Sequence, residues 1–187
     1  MLRETLVVLG LVALVAAPSR SGRADEVGVA AVDSTTLAKI EEIAKNYTKL
    51  GKVDDEARFA PTLCRAPNPS VARASKDHDG KKLFYVYAKD RDAYVKGESV
   101  EGQYVVKESY EARNVRPHGT VLPGKKLDLY IILRAAVKDS DDGWVYATVS
   151  PEGDVTAAGK IESCASCHKL AKNERLFGLD GKRKENP

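Results

Sequence analysis

The chain has 187 residues, 43% of them hydrophobic, and carries 30 Lys and Arg against 27 Asp and Glu. Most of that positive excess lies at the start: without residues 1–24, which hold Arg3, Glu4, Arg20 and Arg23, the count is 27 against 26. A charge so near balance gives no electrostatic reason to propose nucleic acid as a partner, and the remaining length suffices for one domain with a substantial core.

Residues 1–24, "MLRETLVVLGLVALVAAPSRSGRA", read as a secretory signal peptide. Arg3 supplies the positive start, and residues 6–17 form an apolar run too short to cross a bilayer comfortably. Gly22 and Ala24 are small residues placed for cleavage before Asp25, with Ala17 as a second site. An uncleaved N-terminal anchor is the alternative. The expected location is periplasmic or otherwise exported. No later stretch is apolar enough to be a membrane helix.

Residues 25–58 comprise a lead-in and one amphipathic helix. In "DSTTLAKIEEIAKNYTKLGK", Leu37, Ile40, Ile43, Tyr47 and Leu50 recur at three- and four-residue spacing. Asp33 or Ser34 caps the start and Gly51 stops the run. Residues 61–79 contain Pro61, Pro67 and Pro69 and show no period, which predicts an irregular loop. Four segments follow that are rich in Val, Ile, Tyr and Phe: "KLFYVYAKD", "GQYVVKESYEA", "KLDLYIILRAAVKD" and "GWVYATVS". Gly, Pro or Asp turns separate them, so they predict four strands of an antiparallel sheet. In the second, Gln103, Val105, Lys107 and Ser109 share one face while Tyr104, Val106, Glu108 and Tyr110 share the other. A helical signal returns in "IESCASCHKLAKNERLFG", and residues 179–187 form a polar tail. The predicted class is α+β: mainly antiparallel β-sheet, with an N-terminal helix and a short C-terminal helix.

That last helix carries the chemistry. The chain has three cysteines, Cys64, Cys164 and Cys167, an odd count that argues against a simple disulfide framework. Cys164-Ala165-Ser166-Cys167-His168 is the CxxCH pattern of c-type haem attachment. Each of the two vinyl groups of a haem can take one cysteine sulfur. Two intervening residues give the right separation, and the next residue aims an imidazole at the iron. Structural zinc would want four ligands, and no second paired set exists. A redox-active dithiol belongs in a strand–helix–strand setting that this chain lacks, and a plain disulfide leaves His168 without a purpose. One covalent haem c is therefore expected, held by Cys164 and Cys167, with His168 as the iron ligand. Cys64 is left over and fits a buried small side chain better than a reactive thiol.

The far side of the iron is constrained by inventory. The only methionine is Met1, which export would remove, so a sulfur donor from this chain is not at hand. His78 in "KDHDG" and His118 in "RPHGT" are the other histidines, and both lie in turn-like sequence where a solvated imidazole is the ordinary outcome. An open position suits binding and conversion of small molecules, whereas a filled one suits electron transfer.

The strand-rich body, the "DDGWVYATVSPEG" strand, the upstream "FYVYAKDRDAYVKGESVEGQYVVKESY" and the late CxxCH with "KLAKNERLFG" together resemble the cytochrome P-460 family and its relative cytochrome c′-beta. The resemblance covers most of residues 59–178, the expected haem domain. It implies a mostly antiparallel β fold, often homodimeric, with a five-coordinate haem that binds gaseous ligands or acts on hydroxylamine or nitric oxide. A redox partner protein would exchange electrons with it. It also implies a possible lysine–haem bond, for which Lys96 and Lys107 are candidates by approximate position. Hydroxylamine oxidation removes protons as well as electrons, and Glu108 and Glu111 are carboxylates in the right part of the chain, although each fits a solvated strand end better. Tyr85, Tyr87, Tyr104 and Tyr110 read as sheet packing, and Trp144 as a core aromatic at a strand start. The alternatives are a monohaem electron carrier, a gas-binding protein without turnover, and a four-helix cytochrome c′. The last would need long helical periods across the region that reads as strands.

Overall fold

The computed structural model describes residues 32–60, 81–115, 120–171 and 173–179. Residues 1–24, Cys64, His78, His118 and most of the tail lie outside them. The N-terminal helix α1 (Ser34–Asn46) starts at Asp33, whose carboxylate accepts from Thr36 N at 2.9 Å and Thr36 Oγ1 at 3.0 Å. Such a cap contributes about 1 kcal/mol. The helix tightens into a 3-10 turn at Tyr47–Leu50 and stops at Gly51, where φ is +72°. That left-handed backbone suits a residue without Cβ.

The sheet has six strands: β1 (Arg58–Phe59), β2 (Lys82–Ala88), β3 (Tyr104–Val115), β4 (Thr120–Arg134), β5 (Trp144–Val149) and β6 (Val155–Gly159). They pair in sequence order and every pair is antiparallel. Two short helices complete the fold: α2 (Arg91–Lys96) between β2 and β3, and α3 (Glu162–His168) after β6. The α+β class holds, with the N-terminal and C-terminal helices where the pattern put them. The four central strands overlap the four Val/Ile/Tyr-rich segments, although β4 runs from Thr120 to Arg134 where the segment at 126–139 was expected. β1, β6 and α2 were not expected: β1 has two residues, and β6 reads "VTAAG", too small in side chain to give a strand signal.

Alternation along the strands gives the sheet two different faces. Tyr87, Val106, Leu129, Ile131, Val145 and Val149 face α1 and bury Ile40, Ile43 and Tyr47 of the helix and its 3-10 extension. Phe84, Val86, Val105, Ile132, Trp144 and Tyr146 face the other way, toward Ile161 and Ala165 of α3. Each large apolar side chain buried this way contributes about 1.5–3 kcal/mol.

One charge is embedded in the α1 face. Glu108 is buried, accepts from Tyr47 OH at 2.5 Å and from Tyr87 OH at 2.8 Å, and has Lys126 Nζ 3.3 Å away. Burial pushes its carboxyl up, but the phenol donors and Lys126 outweigh this and hold it below its ordinary value. Burial and the carboxylate together push Tyr47 and Tyr87 above the ordinary phenol range. A carboxyl with a lowered folded pKa stabilises above its unfolded pKa, and the contribution disappears as pH falls through the folded one. Tyr47→Phe is therefore expected to cost about 1–3 kcal/mol by denaturant titration at neutral pH. In the wild type part of the stability should fade below the ordinary carboxyl value of 4.5, whereas Glu108→Gln should lack that acid-side loss. Identical pH profiles for the two proteins would contradict this account.

Candidate functional site

Seven residues are too few for a self-supporting helix, so α3 depends on what it packs against. Ile161 at its start and Ala165 in its middle are fully buried with Trp144, Tyr146 and Leu176. Ser166 Oγ donates to Glu162 Oε1 at 2.9 Å on the exposed side. Residues three apart lie on one helix face, and here that face carries Cys164 and Cys167, with His168 next. All three line a single cavity of about 950 Å³ between α3 and the sheet. Its walls include Phe84, Val105 and Ile132 from the sheet and Phe177 beyond the helix. That volume sits at the upper end of the roughly 300–1,000 Å³ usual for ligand and cofactor sites.

His168 is fixed from three sides. Its Nδ1 lies 2.7 Å from the Arg175 carbonyl oxygen, and since a carbonyl only accepts, Nδ1 carries the proton and donates. Nε2 is the nitrogen left to act as a ligand. The ring sits between Tyr146 and Phe177, with centroids at 5.4 Å and 5.3 Å. Burial pushes the imidazole pKa down, opposed by the Arg175 carbonyl, so the neutral, metal-binding form prevails at pH 7.

The carbonyl comes from a tight turn in which Leu176 N donates to Asn173 O at 2.7 Å. Glu174 and Arg175 there have φ of +40° and +73°. The Arg175 side chain is held by Asp141 on the β4–β5 connection, with Nε–Oδ2 at 2.8 Å and Nη2–Oδ1 at 3.1 Å. Asp141 also accepts from Tyr146 OH at 2.8 Å. Burial raises the Asp141 carboxyl, yet Arg175 and Tyr146 bring it below its ordinary value.

The other expected residues divide. Lys107 is on the cavity wall, its Nζ 4.3 Å from the Tyr130 ring centroid and 5.6 Å from that of Phe84. Lys96 is exposed at the end of α2 and is not on the wall. Glu108 is neither a proton donor near the cavity nor a solvated strand end, because strand alternation sends it to the opposite face. Glu111 is half-buried opposite Lys82 and also off the wall. Tyr87 packs under the sheet and Trp144 is fully buried, as expected of core aromatics. Sequence reasoning missed Tyr130, Asp141, Tyr146 and Arg175. Strand parity could have placed Tyr130 beside Lys107, its register partner, but nothing local marks Asp141 or Arg175.

A model of the family described as Cytochrome P460 matches residues 66–177, more than half of the 187-residue chain. The chain belongs to the cytochrome P460 family. No individual curated protein matches it. Membership makes this a haem protein, a cytochrome with iron as its metal. The cavity fits that group in the chemistry of its donors: two thiols and a neutral imidazole with Nε2 available, facing apolar walls that would cover a large flat ring.

The turn that serves His168 rests on Gly97, the C-cap of α2. Gly97 has φ of +74°, and a Cβ there would collide with the Asn173 side chain. Gly97→Ala is expected to lower stability by more than about 1 kcal/mol, read as a lower thermal midpoint. Wild-type stability in that variant would refute the close packing of α2 against the turn.

Proposed function

We propose that this is an exported monohaem cytochrome c. Cys164 and Cys167 would hold the haem through thioethers, His168 Nε2 would ligate its iron, and the bound group would supply a metal centre that binds or converts hydroxylamine or nitric oxide. The observation that carries the reading is the convergence of two thiols and one oriented imidazole on a single, mostly apolar cavity. Haem bound there supplies an iron that takes small nitrogen-oxide ligands and exchanges electrons. Among the described residues lining the cavity, His168 is the sole imidazole and there is no methionine, which supports an open far side.

The protein's own groups have separable tasks in this reading. Phe84, Val105 and Ile132 exclude water from the cavity. Lys107 brings a cation to the wall, the side chain through which a lysine–haem bond of the family type would form. Its placement favours a converting enzyme over a passive gas binder. Oxidation of hydroxylamine would pass its electrons to a redox partner protein.

Expression with haem-attachment machinery should give a coloured protein whose 164–168 peptide retains haem after denaturation. Cys164→Ala and Cys167→Ala should each remove one thioether, and the double variant should release haem into organic solvent. Nitric oxide should shift the optical spectrum, and hydroxylamine should reduce an added electron acceptor, with Lys107→Ala losing most of that turnover. A colourless wild-type product would defeat covalent attachment. Spectral response to nitric oxide without turnover would leave a gas-binding protein. Sharp low-spin bands abolished by His78→Ala or His118→Ala would make it an electron carrier.

A further inference from the structure

We propose that Asp141 is a positioning residue for the iron ligand: by gripping Arg175 and Tyr146 it holds His168 in place and sets how strongly its imidazole donates to the metal. This rests on His168 being the ligand, as proposed above. The first support is the distribution of backbone strain. Among the described residues, the non-glycine positions with positive φ are Asp139, Asp142, Glu174 and Arg175. All four lie in just two turns, the β4–β5 connection and the turn after α3. Such conformations cost of order 1 kcal/mol each and persist only where surrounding contacts impose them.

The contacts that impose them are on hand. Arg175 forks onto Asp141 through Nε and Nη2, and Nη2 also meets Asp142 Oδ2 at 2.5 Å. Backbone hydrogen bonds between Asp141 and Trp144, at 2.9 Å and 3.0 Å, close the β4–β5 turn, and Arg134 Nη1 donates to the Asp142 carbonyl. The ion pair therefore locks one strained turn to the other. The product of that lock is the Arg175 carbonyl, 2.7 Å from His168 Nδ1. Asp141 reaches the same imidazole by a second route, since Tyr146, which donates to it, packs its ring on His168.

A hydrogen bond from Nδ1–H makes an imidazole a stronger donor at Nε2, and outer partners of this kind typically matter about 10–100-fold to metal affinity or activity. Asp141 is only 4% exposed, so removing its charge takes away the buried half of the grip on Arg175, leaving it Asp142, and frees the turn. Asp141→Asn is expected to shift the iron–histidine stretching band of the reduced holoprotein to lower frequency and to raise the haem midpoint potential. Asp141→Glu should recover part of both. Two milder variants cover the case in which Asp141→Asn does not fold. Arg175→Lys keeps the charge but loses the fork, and Tyr146→Phe keeps the ring and the ion pair. Both should move the band and the potential in the same directions, the second by less. Coloured variants that lose thermal stability yet keep the wild-type band and potential would overturn the proposal, leaving the ion pair a structural brace. A His168→Gly protein that keeps the wild-type band would overturn the ligand assignment along with it.

Discussion

Backbone alternation allows each residue of a strand to face only one side of the sheet, and on β3 that constraint separates two charges that could not exchange places. Lys107 faces the cavity against the rings of Tyr130 and Phe84. Glu108, its neighbour, faces α1 and is held by Tyr47, Tyr87 and Lys126. A slip of one residue would put a carboxylate among apolar cavity walls and an ammonium among the α1 contacts, each without its partners. The register shifts on β3 fall between Glu108 and Ala112, past the stretch in which Val105 and Lys107 line the cavity. The phenol cage thus contributes to the site on the far face by fixing which residues reach it.

The helix that closes the cavity is tied down in a different manner. β3 is placed by a ladder of register pairs to β2 and β4, but α3 has only a few side chains to anchor it. Ile161 and Ala165 bury one edge, and Leu176 returns after the helix to bury another. Between them the chain must reverse tightly enough to bring a carbonyl back to His168, which sits one helical turn plus a short loop upstream. That reversal takes up the positive φ values at Glu174 and Arg175 and the close approach of Asn173 to Gly97. Orientation of the imidazole is thus a consequence of long-range contacts, although the motif itself is contiguous.

The same contrast explains what could be read from the sequence. Asp33, the three- and four-residue spacing from Leu37 to Leu50, and Gly51 are local signals, and the helix follows them closely. CxxCH is local too, and so is the alternation in β3. What alternation cannot say is which face meets the cavity, so from sequence Glu108 reads either as a solvated strand end or as a carboxylate near the site. The cage that claims it includes Tyr47, 61 residues earlier in the chain. Arg175 and Asp141 are 34 residues apart, and neither has a neighbour pattern that distinguishes it from an ordinary turn residue. β6 escaped notice because Ala157 and Ala158 lack the bulk that marks strands, and it is paired by β5 regardless.

Charge inside the cavity follows from how the surrounding ions are neutralised. Asp141 is matched by Arg175, Glu108 by phenols and Lys126, and Lys82 by Asp128 at 3.1 Å. Arg58 lines the cavity but is bound to Asp54 at 2.6 Å and Glu56 at 2.9 Å. Lys107 lies over the faces of Tyr130 and Phe84, which attract a cation through their quadrupoles without cancelling its charge. Its field reaches His168 and, after burial, is among the influences that disfavour the protonated imidazole. A cation on the wall therefore helps keep the proposed ligand neutral at Nε2 while offering electrostatic attraction to any electron-rich group that enters, so one side chain acts on both the metal-binding nitrogen and the space beyond it.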